Sequence, residues 1–157
     1  MLDPFVRRFI RASLLWLGCG VVLGVWMALS PAAVAYRPAH MHANLLGFVS
    51  MMIFGVAYHV IPRFTGHPLH SRRAAAVHVW LANAGLAAMV AGFIARVHHW
   101  GTGTILLGTG GSAAAAGAFL FIHNIWRTLD EPARRPSALP TVDRSATPRP
   151  TPVRATG

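Results

Sequence analysis

Nine histidines sit in a chain whose apolar stretches offer no acid to pair with them. An imidazole in such surroundings binds a metal or cofactor, passes a proton, or is a hydrogen-bonded packing group. Spacing sorts the histidines into two sets. His40 and His42 stand beside Arg37, and His98 and His99 beside Arg96. His59, His78 and His123 lie toward the opposite ends of their stretches, with His67 and His70 in the connection between. From His42 to His59 is 17 residues, about 25 Å along a helix, so the two sets cannot share one metal atom. The first set suits haem b, which takes neutral imidazoles, an apolar slot and cations for its propionates, here Arg37 and Arg96. Copper is the alternative, since imidazole nitrogen and the sulfur of Met41 are suitable donors. The second set, His59, His78 and His123, suits a proton path better.

Other chemistries are excluded by composition. The 14 basic residues are all Arg, and the four acids are Asp3, Asp130, Glu131 and Asp143. With no acid between Pro4 and Leu129, paired-carboxylate hydrolysis and an oxygen cage for Mg²⁺ or Ca²⁺ have no residues to work with. The one cysteine, Cys19, excludes an intrachain disulfide and a thiolate cluster within one chain. A net charge of +10 would fit nucleic acid, but the arginines punctuate apolar runs instead of forming one face, so no nucleic-acid partner is expected.

The elements that position these histidines follow from the same punctuation. Residues 12–36, 38–62, 74–95 and 97–126 carry no acid, and Arg37 and Arg96 mark the breaks. Each run exceeds the roughly 20 residues that cross a bilayer as a helix, and the mean hydropathy of the whole chain is +0.48. The expectation is an all-α integral membrane protein: a four-transmembrane-helix antiparallel bundle with spans near 12–36, 40–62, 74–97 and 102–126, lying in the lipid bilayer of a bacterial-type inner membrane. Arginine clusters at 7–11, 63–73 and 127–135 against single arginines at 37 and 96 put both termini in the cytoplasm. The basic start followed by Ala33-Val34-Ala35 also fits a cleaved signal, but the apolar run is longer than the usual 7–15-residue core, so it is expected to stay as a span. The membrane domain is expected over 1–129. From residue 130 the chain holds six of its eleven prolines, a composition that cannot bury a core, and 130–157 is expected to be a disordered tail.

A helix turns 100° per residue, which fixes the facing of each side chain. His78, Ala82, Gly85, Met89, Gly92, Arg96 and His99 form one stripe on the third span, a smooth groove that admits a helix backbone or a flat ligand. Gly20 and Gly24 make a small-residue pair on the first span. On the second, His40 shares a face with Asn44, Gly47, Met51 and Tyr58, and His42 with Leu46, Val49, Ile53 and Val60. Periodicity favours His40 as the inward residue.

The stretch from Arg37 to Gly66, RPAHMHANLLGFVSMMIFGVAYHVIPRFTG, resembles the second helix of subunit I in the haem-copper oxidase superfamily, above all the cbb-type oxidases and nitric oxide reductases. There a His-x-Asn-Leu-Leu opening, here His42 to Leu46, supplies an axial ligand of the low-spin haem b. Gly55, Tyr58 and Pro62 match the close of that helix. The stretch is also similar to the haem- and copper-containing nitric-oxide-response protein NnrS, through the His-x-His pair, Gly47-Phe48 and the exit at Pro62, Thr65 and Gly66. The resemblance implies His42 as a haem ligand. It has no counterpart for the second ligand, for which His98 or His99 at the same depth, or His42 of a second copy in a homodimer, is available. Those oxidases have at least twelve spans, and the helices of the dinuclear site have no match here, so no stand-alone oxidase or reductase activity is expected. The expected role is a haem b protein for electron transfer, or an accessory or sensor for oxygen or nitric oxide respiration within a respiratory or denitrification complex. The alternative is a cofactor-free or copper-handling membrane assembly subunit.

Overall fold

The computed structural model describes residues 2–130; the expected tail, apart from Asp130, lies outside the described residues. Four helices long and apolar enough to cross a membrane make up the described chain, Pro4–Leu29, Pro31–Thr65, Arg72–Val97 and Gly103–Asp130, and among the described residues there is no strand. The protein is a multi-pass membrane bundle, as its charge-free runs require.

The break between the first two spans falls earlier than charge alone suggests. Proline disfavours helical backbone at the residue before it. Ser30, ahead of Pro31, is accordingly extended at φ −137° and ψ 112°. Residues 31–36, expected to finish the first span, open the second instead as a 3₁₀ turn, Pro31–Tyr36. The second span then runs through an α segment, Arg37–His42, a π-helical stretch, Ala43–Ser50, and an α segment, Met51–Thr65. The Ser50 hydroxyl donates to the Leu45 carbonyl, five residues back, at 2.9 Å, in keeping with the wider turn. Gly66 closes the span at φ 70°, a left-handed position that glycine takes without a Cβ penalty.

Packing follows from the small residues. The third-span stripe predicted as a groove is filled by the fourth span, not left open for a ligand. A Cβ on Gly85 would lie 2.7 Å from the Ala114 amide nitrogen and 2.8 Å from the Gly110 carbonyl oxygen, and one on Gly92 would lie 2.9 Å from the Leu107 amide nitrogen. The two backbones touch along this seam. On the first and second spans, Gly47 receives Trp16 and Gly55 receives Phe9. Phe5, Phe9, Met51, Tyr58, Val79 and Leu86 are buried in the core.

Two buried polar residues of the fourth span tie down the connection between the second and third. Asn124 accepts from the Ser71 amide and donates to the Ser71 carbonyl, both at 2.9 Å, and the Thr128 hydroxyl accepts from the His70 amide at 3.0 Å. Ser71 is itself the cap of the third span, its hydroxyl accepting from the Ala74 amide at 3.1 Å. Asn124→Leu keeps the volume and strands the Ser71 amide, while the Ser71 carbonyl keeps the Ala75 amide at 3.2 Å, so a loss of about 2 kcal/mol is expected. Faster hydrogen exchange at Ser71, with the rest of the bundle unchanged, would report it.

Asp3 pairs with Arg72, whose guanidinium also lies 5.8 Å from the Phe5 ring centroid. The start of the chain and the 66–71 connection therefore share one arginine-rich end. Tyr36 and His98 meet at the other.

Candidate functional site

His40 and His42 leave the second span in opposite directions, and the structure gives them different work. The His40 ring enters the small-residue pair of the first span. Its Nδ1 donates to the Gly20 carbonyl at 2.9 Å, its Nε2 accepts from Asn44 Nδ2 at 3.5 Å, and a Cβ on Gly24 would sit 3.0 Å from its Cε1. The Gly20/Gly24 pair thus receives side chains, not a helix backbone. His40 is inward, as periodicity indicates, and its face continues into buried Gly47, Met51 and Tyr58.

His42 is half-buried and rests on the Phe93 ring of the third span, with centroids 4.7 Å apart. Its Nδ1 donates to the Pro38 carbonyl at 2.8 Å. A carbonyl only accepts, so the proton is held on Nδ1 and the lone pair stays on Nε2, the arrangement a metal-ligating imidazole needs. The π-helical stretch begins one residue later, and such stretches concentrate at functional sites. Below His42 the surface is apolar and open: Leu46, Val49 and Ile53 are 36, 42 and 56% exposed.

At the end of the third span His98 and His99 diverge. The Tyr36 hydroxyl meets His98 Nε2 at 2.9 Å, and the His98 ring stacks on Trp100 at 5.3 Å. His98 therefore clamps the two connections at this end of the bundle. His99 occupies the left-handed position of a Schellman turn, in which the Trp100 amide bonds the Ala95 carbonyl and the His99 amide bonds the Arg96 carbonyl. Glycine is the usual residue there. His99 has φ 55°, the one positive φ at a non-glycine residue among the described residues, and a side chain in that region costs about 1–2 kcal/mol. Its ring is exposed and carries no hydrogen bond among the described residues. Arg37 and Arg96 are exposed at the same end and have no carboxylate partner among the described residues.

The second histidine set is not brought together. His78 is 1% exposed, enclosed by Phe9, Phe54, Tyr58 and Phe121, and its Nδ1 meets the Tyr58 hydroxyl at 3.1 Å. His123 stands 6.0 Å from His70, ring to ring, and His59 Nδ1 is buried without a hydrogen-bond partner. No hydrogen-bonded relay links His59, His78 and His123 among the described residues. Histidine spacing does not mark the tyrosine partners of His78 and His98, yet the sequence carries a signal for them. The chain has two tyrosines, a phenol in apolar surroundings seeks a partner, and imidazole is the abundant polar group.

The residues at this end fit a haem in donor chemistry: an imidazole with a fixed tautomer, an apolar face beneath it, a second imidazole with uncommitted nitrogens and two unpaired guanidiniums. No three His, Cys, Asp or Glu side chains converge as a metal cage among the described residues.

No family model matches the chain. Over 81% of its length it is 29% identical to the cbb3-type cytochrome c oxidase subunit CcoN1 of Stutzerimonas stutzeri, and the match covers 33% of that protein. The chain thus spans about a third of the length of the relative it matches. At the level of the superfamily it is a distant relative of haem-copper oxidase subunit I.

Proposed function

We propose that the chain binds haem b in a bacterial inner membrane and serves electron transfer, or acts as an accessory or sensor, in oxygen or nitric oxide respiration. The observation that carries this reading is the His42–Pro38 hydrogen bond, which leaves Nε2 of the motif histidine free to coordinate. The distant relation to an oxidase subunit supports the same ligand class. His42 and His99 are the residues that would hold the haem iron, His98 being engaged by Tyr36. Arg37 and Arg96 take the propionates, and His40 sets the second span against the first. When bound, haem supplies reversible one-electron exchange. The arginine-rich end faces the cytoplasm, and the partners are a respiratory or denitrification complex and, in a homodimer, a second copy.

The test is the purified full chain in mild detergent, with oxidised and dithionite-reduced spectra, a pyridine haemochrome assay and copper analysis. A reduced α-band with about one haem per chain or per dimer is the expected result. A colourless protein made under ample haem supply would overturn it and favour the cofactor-free or copper-handling assembly role. A sharper test uses the strain at His99. Glycine relieves the left-handed backbone at a smaller entropic cost in the unfolded chain, so His99→Gly is expected to raise stability by about 0.5–1 kcal/mol while weakening haem retention. A merely structural His99 would give the stability gain alone.

A further inference from the structure

We propose that the groove between the first and third spans, at the arginine-rich end, binds one anionic phospholipid. Two helical stripes face one another across it. Arg8, Arg11, Ala12 and Leu15 fall at i, i+3, i+4 and i+7 on the first span, so they share a face. Val79, Trp80 and Asn83 line the opposite wall, and the groove between them encloses about 460 Å³. An adjoining hollow of about 250 Å³ shares Arg8 and adds Arg72 and Arg73. Asn83 on that wall is held in place by the Trp16 indole, which donates to its Oδ1 at 3.3 Å.

Charge identifies the occupant. Four guanidiniums line the two hollows, and the one carboxylate near them among the described residues, Asp3, is taken by Arg72. Arg8, Arg11 and Arg73 have no ion-pair or hydrogen-bond partner among the described residues. A phosphodiester accepts the paired N–H groups of a guanidinium, and a basic hollow between membrane helices is suited to an anionic headgroup. Depth identifies the rest of the ligand. One turn below Arg11 the walls become apolar at Leu15 and Val79, and Trp80 is 66% exposed, an amphipathic ring at headgroup depth. A headgroup phosphate on Arg8, Arg11 and Arg73 therefore places an acyl chain along Leu15, Val79 and Trp80. Two other hollows, along Leu14–Leu23 and Met52–Ile61, are of similar size but carry no charged side chain, so a lipid lying there has no anchor for its phosphate.

The test is native mass spectrometry of the full chain released from bilayers of equal phosphatidylglycerol and phosphatidylcholine. The expected result is one retained phosphatidylglycerol per chain, favoured about tenfold. Arg8→Gln with Arg11→Gln should lower that retention about tenfold. Arg63→Gln with Arg127→Gln, exposed at the same end but outside the groove, should change it less than about twofold. Helical content unchanged in both pairs shows that the fold is intact. Equal retention of the two lipids, or equal loss in the two variant pairs, would overturn the site in favour of general surface attraction. Displacement by millimolar inorganic phosphate would overturn the lipid as its ligand.

Discussion

His42→Ala is expected to abolish the reducible Soret band and lower haem content by about tenfold or more, with the bundle otherwise intact. The asymmetry follows from where the ring lies. His42 is half-buried on the open side of the second span, and its one hydrogen bond is to the carbonyl of its own helix, at Pro38. Truncating it removes little packing, and a stability change within about 1 kcal/mol is expected. His40→Ala should do the reverse. It deletes the bond to the Gly20 carbonyl and empties the space over Gly24, a loss of about 1–2 kcal/mol, while haem content is retained. Pyridine haemochrome and thermal unfolding on the two variants separate the roles. Unchanged haem in His42→Ala, or loss in His40→Ala alone, would reverse the assignment of the two histidines.

Gly85→Leu is expected to take the bundle apart. Its Cβ would stand 2.7 and 2.8 Å from backbone atoms of Ala114 and Gly110, and backbone cannot swing aside as a side-chain tip can. The third and fourth spans must separate, at a cost of about 3 kcal/mol. That is a large share of the 5–15 kcal/mol typical of a folded domain. Gly108→Leu and Gly111→Leu are the controls. They lie on the fourth span, the partner of the third across the seam, and change the same residue type, but no heavy atom lies within 4 Å of the Cβ, so effects within about 0.5 kcal/mol are expected. Unfolding followed by circular dichroism in detergent should rank Gly85→Leu far below both. Equal tolerance of all three would mean that the seam is looser than its backbone contacts indicate.

The candidate site was partly legible in the residues. Two histidine sets followed from spacing alone, because rise per residue converts sequence distance into depth. That His40 faces in and His42 out also followed from a 100° turn, and the burial of Gly47, Met51 and Tyr58 beside exposed Val49 and Ile53 agrees. What an inward position does was not legible. It gives His40 a carbonyl and an asparagine to hold, which ties the ring to packing, whereas the outward His42 keeps a nitrogen available.

The sequence by itself determined the number of spans and their all-helical character, since charge cannot be left in hydrocarbon and apolar length must match bilayer thickness, but not where the first ends, which Pro31 decides. It determined the excluded chemistries too, since four acids and one thiol cannot build carboxylate or thiolate sites. Only the tertiary structure decided which small-residue surface meets a backbone and which receives a side chain. Glycine at helical spacing reads the same whether a fourth helix or an imidazole fills the space. It alone separated His98 from His99, adjacent in sequence and equal in type. One is turned toward Tyr36, and the other is set in a left-handed turn with its ring outward. That difference is made by the backbone at the helix end and by a partner 62 residues away, neither of which local spacing encodes.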